Sequence, residues 1–436
     1  MPATGQPSSS RWPTGHSATG WWGRAGAWVF DHGAGARWRH NHGQAHPKGR
    51  SEHMTMFTAS DVIILGAGMA GASLAAELAP HRKVVMVEIE DQPGRHATGR
   101  SAAMFFESYG NATVRALTRA SRAFLERPPA GFAAAPLLSP RSALFVCDTQ
   151  RLAALCAMLD APDAPATLRA LSAEAAMGLC PILRPDWIAA AAIDESGSDM
   201  DVAAIHQGFI RQARQAGARL VLGAYEVAIE RAAGSWRVRS RAGDYEAPVL
   251  VNATGAWADS VARQAGVPTV GLQPMRRTAV TLPAPPGLDI RAWPLVIDVD
   301  EQFYFKPDAG QLLLSPANED PMDPCDVTPD EMDIAIAVDR FETATSMRVR
   351  KLNHRWAGLR SFVSDRSPVV GYDAAAEGFF WLAGQGGYGI QMAPSLARTA
   401  AALLLGLPLP DDVAGPGVHA QDLAPTRSAL TRGLAG

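Results

Sequence analysis

The stretch that most constrains this chain is residues 61–88, "DVIILGAGMAGASLAAELAPHRKVVMVE". A short apolar run leads into a glycine turn, a helix-period segment, and a second apolar run ending in an acid. That is one βαβ unit of about 30 residues, in which a parallel strand pair needs its crossover helix. Gly66, Gly68 and Gly71 fit a GxGxxG pattern with Ala70 inside it. The first glycine permits the tight turn, the second lets backbone approach a pyrophosphate, and the third lets helix and strand pack closely. The helix N-terminus presents free N–H groups and partial positive charge to phosphates. Glu88 follows about 20 residues on, where a carboxylate accepts from a ribose diol and repels a 2′-phosphate. The unit implies an α/β dinucleotide-binding core and disfavours NADP. It does not separate FAD from NAD, and a glycine-rich turn without a ligand is the plain alternative.

The rest of the chain suits such a core. Its 436 residues can bury a large interior, and 47% hydrophobic with 19% charged residues is ordinary globular composition. A formal net charge of -3 argues against nucleic acid as a partner. No apolar run reaches the roughly 18–20 residues that a membrane-spanning helix needs. Cys147, Cys156, Cys180 and Cys325 lack metal-ligand or CxxC spacing. We expect buried thiols in a reducing cytoplasm, and no metal site. The first 55 residues hold six of the eleven histidines and five of the eleven tryptophans, with no structural period. They read as a disordered extension, or as upstream sequence before a working start near Met54 or Met56.

Helices are expected over 111–127 and 150–160, a strand over 143–148, and a helix–strand–hairpin–strand block over 203–257. Extended segments at 276–282, 294–299 and 302–315 suggest a mostly antiparallel sheet outside the nucleotide core. Residues 378–405 read as strand, glycine turn and helix. In that turn Gly386, Gly387, Tyr388, Gly389, Ile390 and Gln391 offer backbone N–H groups to a planar anionic acceptor. A simple strand-to-helix connection is the plain alternative. Arg277 and Arg360 are candidate carboxylate anchors, because a guanidinium fork can bind a carboxylate with paired hydrogen bonds. Tyr304 and Tyr109 can add hydroxyls.

Together these segments resemble the D-amino acid oxidase-like family of FAD-dependent amine oxidoreductases over about residues 59–405. The likeness rests on "ILGAGMAGASLAAELA", Glu88, "GRHATGRSAAMFFESYGN", "VNATGAWAD", "LQPMRRTAV", "FYFKPDAG", "WAGLRSF" and "GFFWLAGQGGYGIQ". Within the family it runs closest to bacterial FAD-dependent D-arginine dehydrogenase, sharing "LSPR" and an analogue of "RPPAGF". The resemblance implies an α/β fold, α+β overall: a Rossmann-like FAD-binding domain with an inserted mixed or antiparallel substrate domain. The implied FAD-binding pieces are 59–140, 200–265 and 355–410; the substrate pieces are 141–199 and 266–354, followed by a tail at 411–436.

The loop Ala97, Thr98, Gly99, Arg100, Ser101, Ala102, Ala103 and Met104 would wrap pyrophosphate and flavin, with Val227 near the adenine. The 386–391 turn would cradle the flavin carbonyl edge, Gly387 also bordering substrate. Arg277 and Arg360 would bind a substrate carboxylate, supported by Tyr304 and Tyr109. His96 lies in an "HATG" segment like one that carries covalent flavin in some relatives; the nearer likeness implies FAD held non-covalently.

Two departures from the arginine enzyme stand out. Ala143 occupies the place of an acid that would face a cationic side chain, and Met104 the place of a histidine near the flavin. Glu107 either replaces the lost charge or faces solvent. The implied reaction is hydride transfer from the Cα of a D-amino acid, neutral or apolar rather than arginine, to flavin N5. The imino acid formed would hydrolyse to an oxo acid and ammonia. A secondary-amine (sarcosine-like) oxidase or dehydrogenase is the alternative; a non-catalytic flavin-binding protein and an NAD dehydrogenase rank below it. The acceptor (quinone, electron carrier or O2) and the choice between monomer and homodimer stay open.

Overall fold

The computed structural model describes residues 57–162 and 164–430, with two short paired strands at Trp28–Asp31 and Arg37–His40. Those strands depart from the expected disorder of residues 1–55, the rest of which lies outside the described residues.

The βαβ segment forms as its pattern requires. Val62–Leu65 and Val84–Val87 pair in parallel, joined by the helix Met69–Leu78. They sit in a six-stranded sheet ordered Arg219–Val221, Val84–Val87, Val62–Leu65, Val249–Asn252, Phe379–Ala383, Val369–Tyr372. The first five strands are parallel and the last antiparallel. Both faces are covered, which explains why these strands are apolar throughout rather than alternating. Val62, Ile64, Val84 and Met86 pack in one core with the helices Met69–Leu78 and Ala393–Leu405. Ile63, Leu65, Val85 and Val87 pack in another with Trp236, Val238 and Tyr245 of a hairpin sheet.

The extended segments build a second sheet of nine strands. Its path runs Asp320–Pro321, Gln273–Pro283, Gln311–Ser315, Tyr304–Asp308, Leu295–Asp298, Ala143–Cys147, Ala190–Asp194, Leu168–Ser172, and His354–Phe362 pairs with Gln273–Pro283. Alternation divides its residues between two clusters. Leu144, Val146, Phe305, Leu312 and Leu314 face the helix Glu331–Ala344. Ala143, Phe145, Ile297, Tyr304 and Leu313 face Met104 and Phe106, where the nucleotide core meets this sheet.

Two features differ from the sequence reading. The helix Glu331–Ala344 starts where the Asp330 carboxylate accepts from the Met332 N–H at 2.9 Å, a start signal within a segment of weak period. Beyond residue 410, read as a tail, two short helices pack down: Val413 and Leu423 are fully buried and Arg427 pairs with Asp365 at 2.7 Å. Apolar residues spaced too sparsely to show a period still suffice to dock a segment.

Candidate active site

A cavity of about 700 Å³ runs from the C-terminal ends of Val62–Leu65 and Val84–Val87 to the face of the nine-stranded sheet. This is where ligands sit in open parallel sheets. At the first end, Gly66 adopts φ +91°, and an added Cβ there would stand 2.6 Å from the Ala253 carbonyl oxygen. A Cβ on Gly71 would stand 2.0 Å from the Gly66 carbonyl oxygen, so the helix can pack only on a bare backbone. Gly68 caps the helix with no side chain of its own to bond the N–H groups. Glu88 accepts from Ala67 N at 2.8 Å and Glu90 N at 3.1 Å. Burial raises its carboxyl above the usual value against these bonds. Val227, Tyr225 and Trp257 also wall this end.

The loop from Gly94 to Ala102 forms the middle. Thr98 Oγ1 accepts from Met69 N at 3.0 Å, tying loop to helix start. His96 Nε2 lies 2.8 Å from Glu90 Oε1, its ring 4.7 Å from the Trp257 ring, and its buried Nδ1 has no partner. Arg100 lines the cavity, donates to the carbonyls of Val327 and Ala357 and pairs with Asp326. Trp356 Nε1 donates to the Arg100 carbonyl at 3.0 Å.

The sheet end carries the anchors. Gln273–Pro283 and His354–Phe362 place Met275 opposite Arg360, Arg277 opposite Gly358, and Ala279 opposite Trp356. Cross-strand partners share a face, so Arg277 and Arg360 are diagonal neighbours on one wall. Arg276, one residue along, faces the other way and pairs with Asp333 of Glu331–Ala344. Arg277 is 6% exposed, donates to Glu319 Oε1 at 3.1 Å, and keeps a buried Nε with no partner. Arg360 Nη1 donates to the Tyr109 hydroxyl at 3.2 Å, which donates to Glu301 Oε2 at 3.1 Å. Burial pushes the Tyr109 phenol well above its usual value, against the lowering field of Arg360. Tyr304 lines the same wall.

The cavity thus gathers Gly66, Gly68, Ala70, Glu88, Ala97, Thr98, Arg100, Ser101, Ala102, Val227, Gly386, Gly387, Gly389 and Ile390 with Arg277, Tyr304 and Arg360. The remaining sequence candidates stand behind its surface. Gly71 and Gly99 shape backbone, Gly99 through its N–H to the Gly94 carbonyl at 2.7 Å. Tyr388 packs on Tyr109 with ring centres 4.9 Å apart. Gln391 holds Phe106 N and Thr118 Oγ1. Ala103 packs against the nucleotide core. Met104 and Ala143 are buried in the apolar cluster behind Tyr304. Glu107 pairs with Arg122 at 2.6 Å and supplies no charge to the cavity. Cys147 and Cys180 are buried as expected, whereas Cys156 is exposed and Cys325 lies on the cavity wall. No cluster of metal-ligand residues occurs among the described residues.

Sequence reasoning missed Glu90, Trp257, Glu301 and Glu319. Trp257 lies inside the quoted "ATGAWAD". Glu301 and Glu319 carry no local signal, since the fold alone brings them to Tyr109 and Arg277 from distant parts of the sequence.

The glycine turn at the helix start, the carboxylate beside it and the unpartnered His96 Nδ1 fit an extended, phosphate-bearing dinucleotide. The chain belongs to the DAO family of FAD-dependent oxidoreductases, which matches residues 61–403. FAD is therefore its cofactor. Among solved structures, L-proline dehydrogenase from P. horikoshii superposes with TM-score 0.69 at 20% identity, covering 81% of this chain and 96% of that one. Iminodiacetate oxidase from Chelativorans sp. superposes with TM-score 0.70 at 22% identity, covering 84% and 98%. A Xenopus laevis protein, FAD-dependent oxidoreductase domain-containing protein 1, is 27% identical over 37% of this chain and 35% of its own length. The chain thus spans about a third of that curated relative. No helix among the described residues is long and apolar enough to cross a membrane.

Proposed function

We propose that the protein oxidises the Cα–N bond of a D-amino acid with a neutral or apolar side chain. The observation that carries this reading is the diagonal pair Arg277 and Arg360 on the wall of the FAD cavity, with Tyr304 beside them. Two guanidinium groups on adjacent strands hold a carboxylate in a fixed orientation, which converts binding into alignment of the reacting carbon. FAD, when bound, supplies the two-electron acceptor. Tyr109, itself bonded to Glu301, holds the Arg360 anchor in place, and the packed wall excludes water from the reacting centre.

The apolar cluster of Met104, Phe106, Ala143, Phe145 and Leu313 backs the pocket, which supports a neutral side chain rather than arginine. The D-configuration is supported by the motifs shared with D-arginine dehydrogenases. His96 has Glu90 on one ring nitrogen, an arrangement that suits hydrogen bonding and non-covalent FAD.

Anaerobic mixing with a panel of D- and L-amino acids tests the reading: D-alanine, D-valine or a similar substrate bleaches the flavin band. Failure of every D-amino acid to do so would overturn it. A second reading, oxidation of secondary amines, is favoured by the names of the two solved neighbours, which concern proline and iminodiacetate. Its mark is an aldehyde product from an N-alkyl amino acid in place of ammonia.

A further inference from the structure

The anchor arginines do not stand alone. Glu319 Oε1 accepts from Arg277 Nη2 at 3.1 Å and from Arg366 Nη2 at 2.9 Å. Arg366 in turn lies flat on Phe362, its guanidinium carbon 3.8 Å from the ring centre. On the other flank Glu301 accepts from Tyr109, which accepts from Arg360. Glu301 sits at φ +53° in a turn that Asp298 builds by accepting from the N–H groups of Asp300 and Gln302. The neighbouring cations are committed elsewhere: Arg276 to Asp333, Arg100 to Asp326, and Lys306 to Asp199. The cluster facing the anchor therefore holds three guanidinium groups and two carboxylates, a formal surplus of one positive charge.

We propose that Glu319 and Glu301 are specificity-determining residues that set this surplus to match one carboxylate, so that substrates with a second anionic group are rejected. The inference rests on the amine-oxidation reading and narrows its substrates to monocarboxylates. At the anchor end a second carboxylate adds a charge that the single surplus does not offset, and the Glu319 carboxylate repels it. Discrimination here arises from a repulsive element as well as an attractive one. Burial alone would raise the Glu319 carboxyl, but the bond to Arg366 and the fields of Arg366, Arg277 and Arg360 hold it below the usual range.

The test uses the FAD-loaded protein and two inert competitors, propionate and succinate, with dissociation constants from calorimetry. The wild type binds propionate at least about tenfold more tightly than succinate. In Glu319→Gln the ratio shifts about tenfold or more toward succinate, and Glu319→Asp restores it. Glu301→Gln shifts it the same way and serves if Glu319→Gln does not fold. Equal weakening of both acids, or ratios unchanged within about twofold in the folded variants, would overturn the inference while leaving amine oxidation standing. Absence of flavin bleaching by every amine acid would instead remove the reading beneath it.

Discussion

Arg277 and Arg360 were legible because a guanidinium fork suits a carboxylate and because the resemblance singles out these two positions. What the residues alone could not show is that Arg276 and Arg277 serve opposite faces. Strand alternation sends Arg276 to Asp333 and Arg277 to the cavity. Arg360→Ala is expected to raise KM for the amino acid about tenfold to 100-fold, since charged hydrogen bonds contribute about 1.5–3 kcal/mol. Steady-state kinetics checks this, with unchanged flavin absorbance showing that the cradle survives. Gly387→Ala acts on the same group: its Cβ would lie 2.8 Å from Arg360 Nη1, the mobile end of a side chain. The fold should tolerate it while KM rises. Tyr109 supplies a pH signature. Its phenol is raised by burial, so the folded state keeps the proton longer than the unfolded chain. Stability is therefore expected to decline as pH rises beyond about 10. Tyr109→Phe should lessen that decline in denaturant titrations.

At the scale of elements, the helices Met69–Leu78 and Ala112–Glu126 followed from apolar period, whereas Glu331–Ala344, in a segment of weak period, did not. Asn111 caps the helix Ala112–Glu126 by accepting from Val114 N at 3.0 Å, and its amide donates to Asp365 O and Ser367 Oγ. Asn111→Ala is expected to lower stability by about 1–2 kcal/mol in urea unfolding, the range for a lost cap and its companion bonds. The segment around Asp326 shows a different economy. Arg100 of the 94–102 loop reaches across to Asp326 and to the Val327 carbonyl, so the segment before the helix Glu331–Ala344 clasps the loop that borders the cavity. Burial alone would raise the Asp326 carboxyl, but Arg100 outweighs it and the value is lowered. A depressed carboxyl contributes above its unfolded value and loses that contribution as pH falls below about 4. Asp326→Asn should speed FAD release several-fold near neutral pH, as read by recovery of free flavin fluorescence. The wild type should approach the variant's rate in acid.

For the whole molecule, residues 61–88 disclosed the dinucleotide-binding unit at the heart of the six-stranded sheet, because a glycine turn between two buried strands has few ways to fold. The second sheet was legible only as extended segments. Its order joins residues far apart in sequence, such as Gln273–Pro283 with His354–Phe362, and neither hydrophobic period nor turn chemistry encodes such pairings. The cavity lies where the two sheets meet, with walls from the first glycine turn, the 386–390 turn and the anchor strands. Both sheets border this cavity, so FAD bound there, as proposed, should act as a shared packing element. A ligand bound only by the folded state stabilises by RT ln(1 + [L]/Kd), about 2.7 kcal/mol at a hundredfold excess over Kd. Removing FAD is expected to lower the unfolding temperature of both sheets together, in one calorimetric transition that moves upward with added FAD. Two transitions, with only one responding to FAD, would show instead that the nine-stranded sheet folds independently of the cofactor and that the clasp through Arg100 contributes little to its stability.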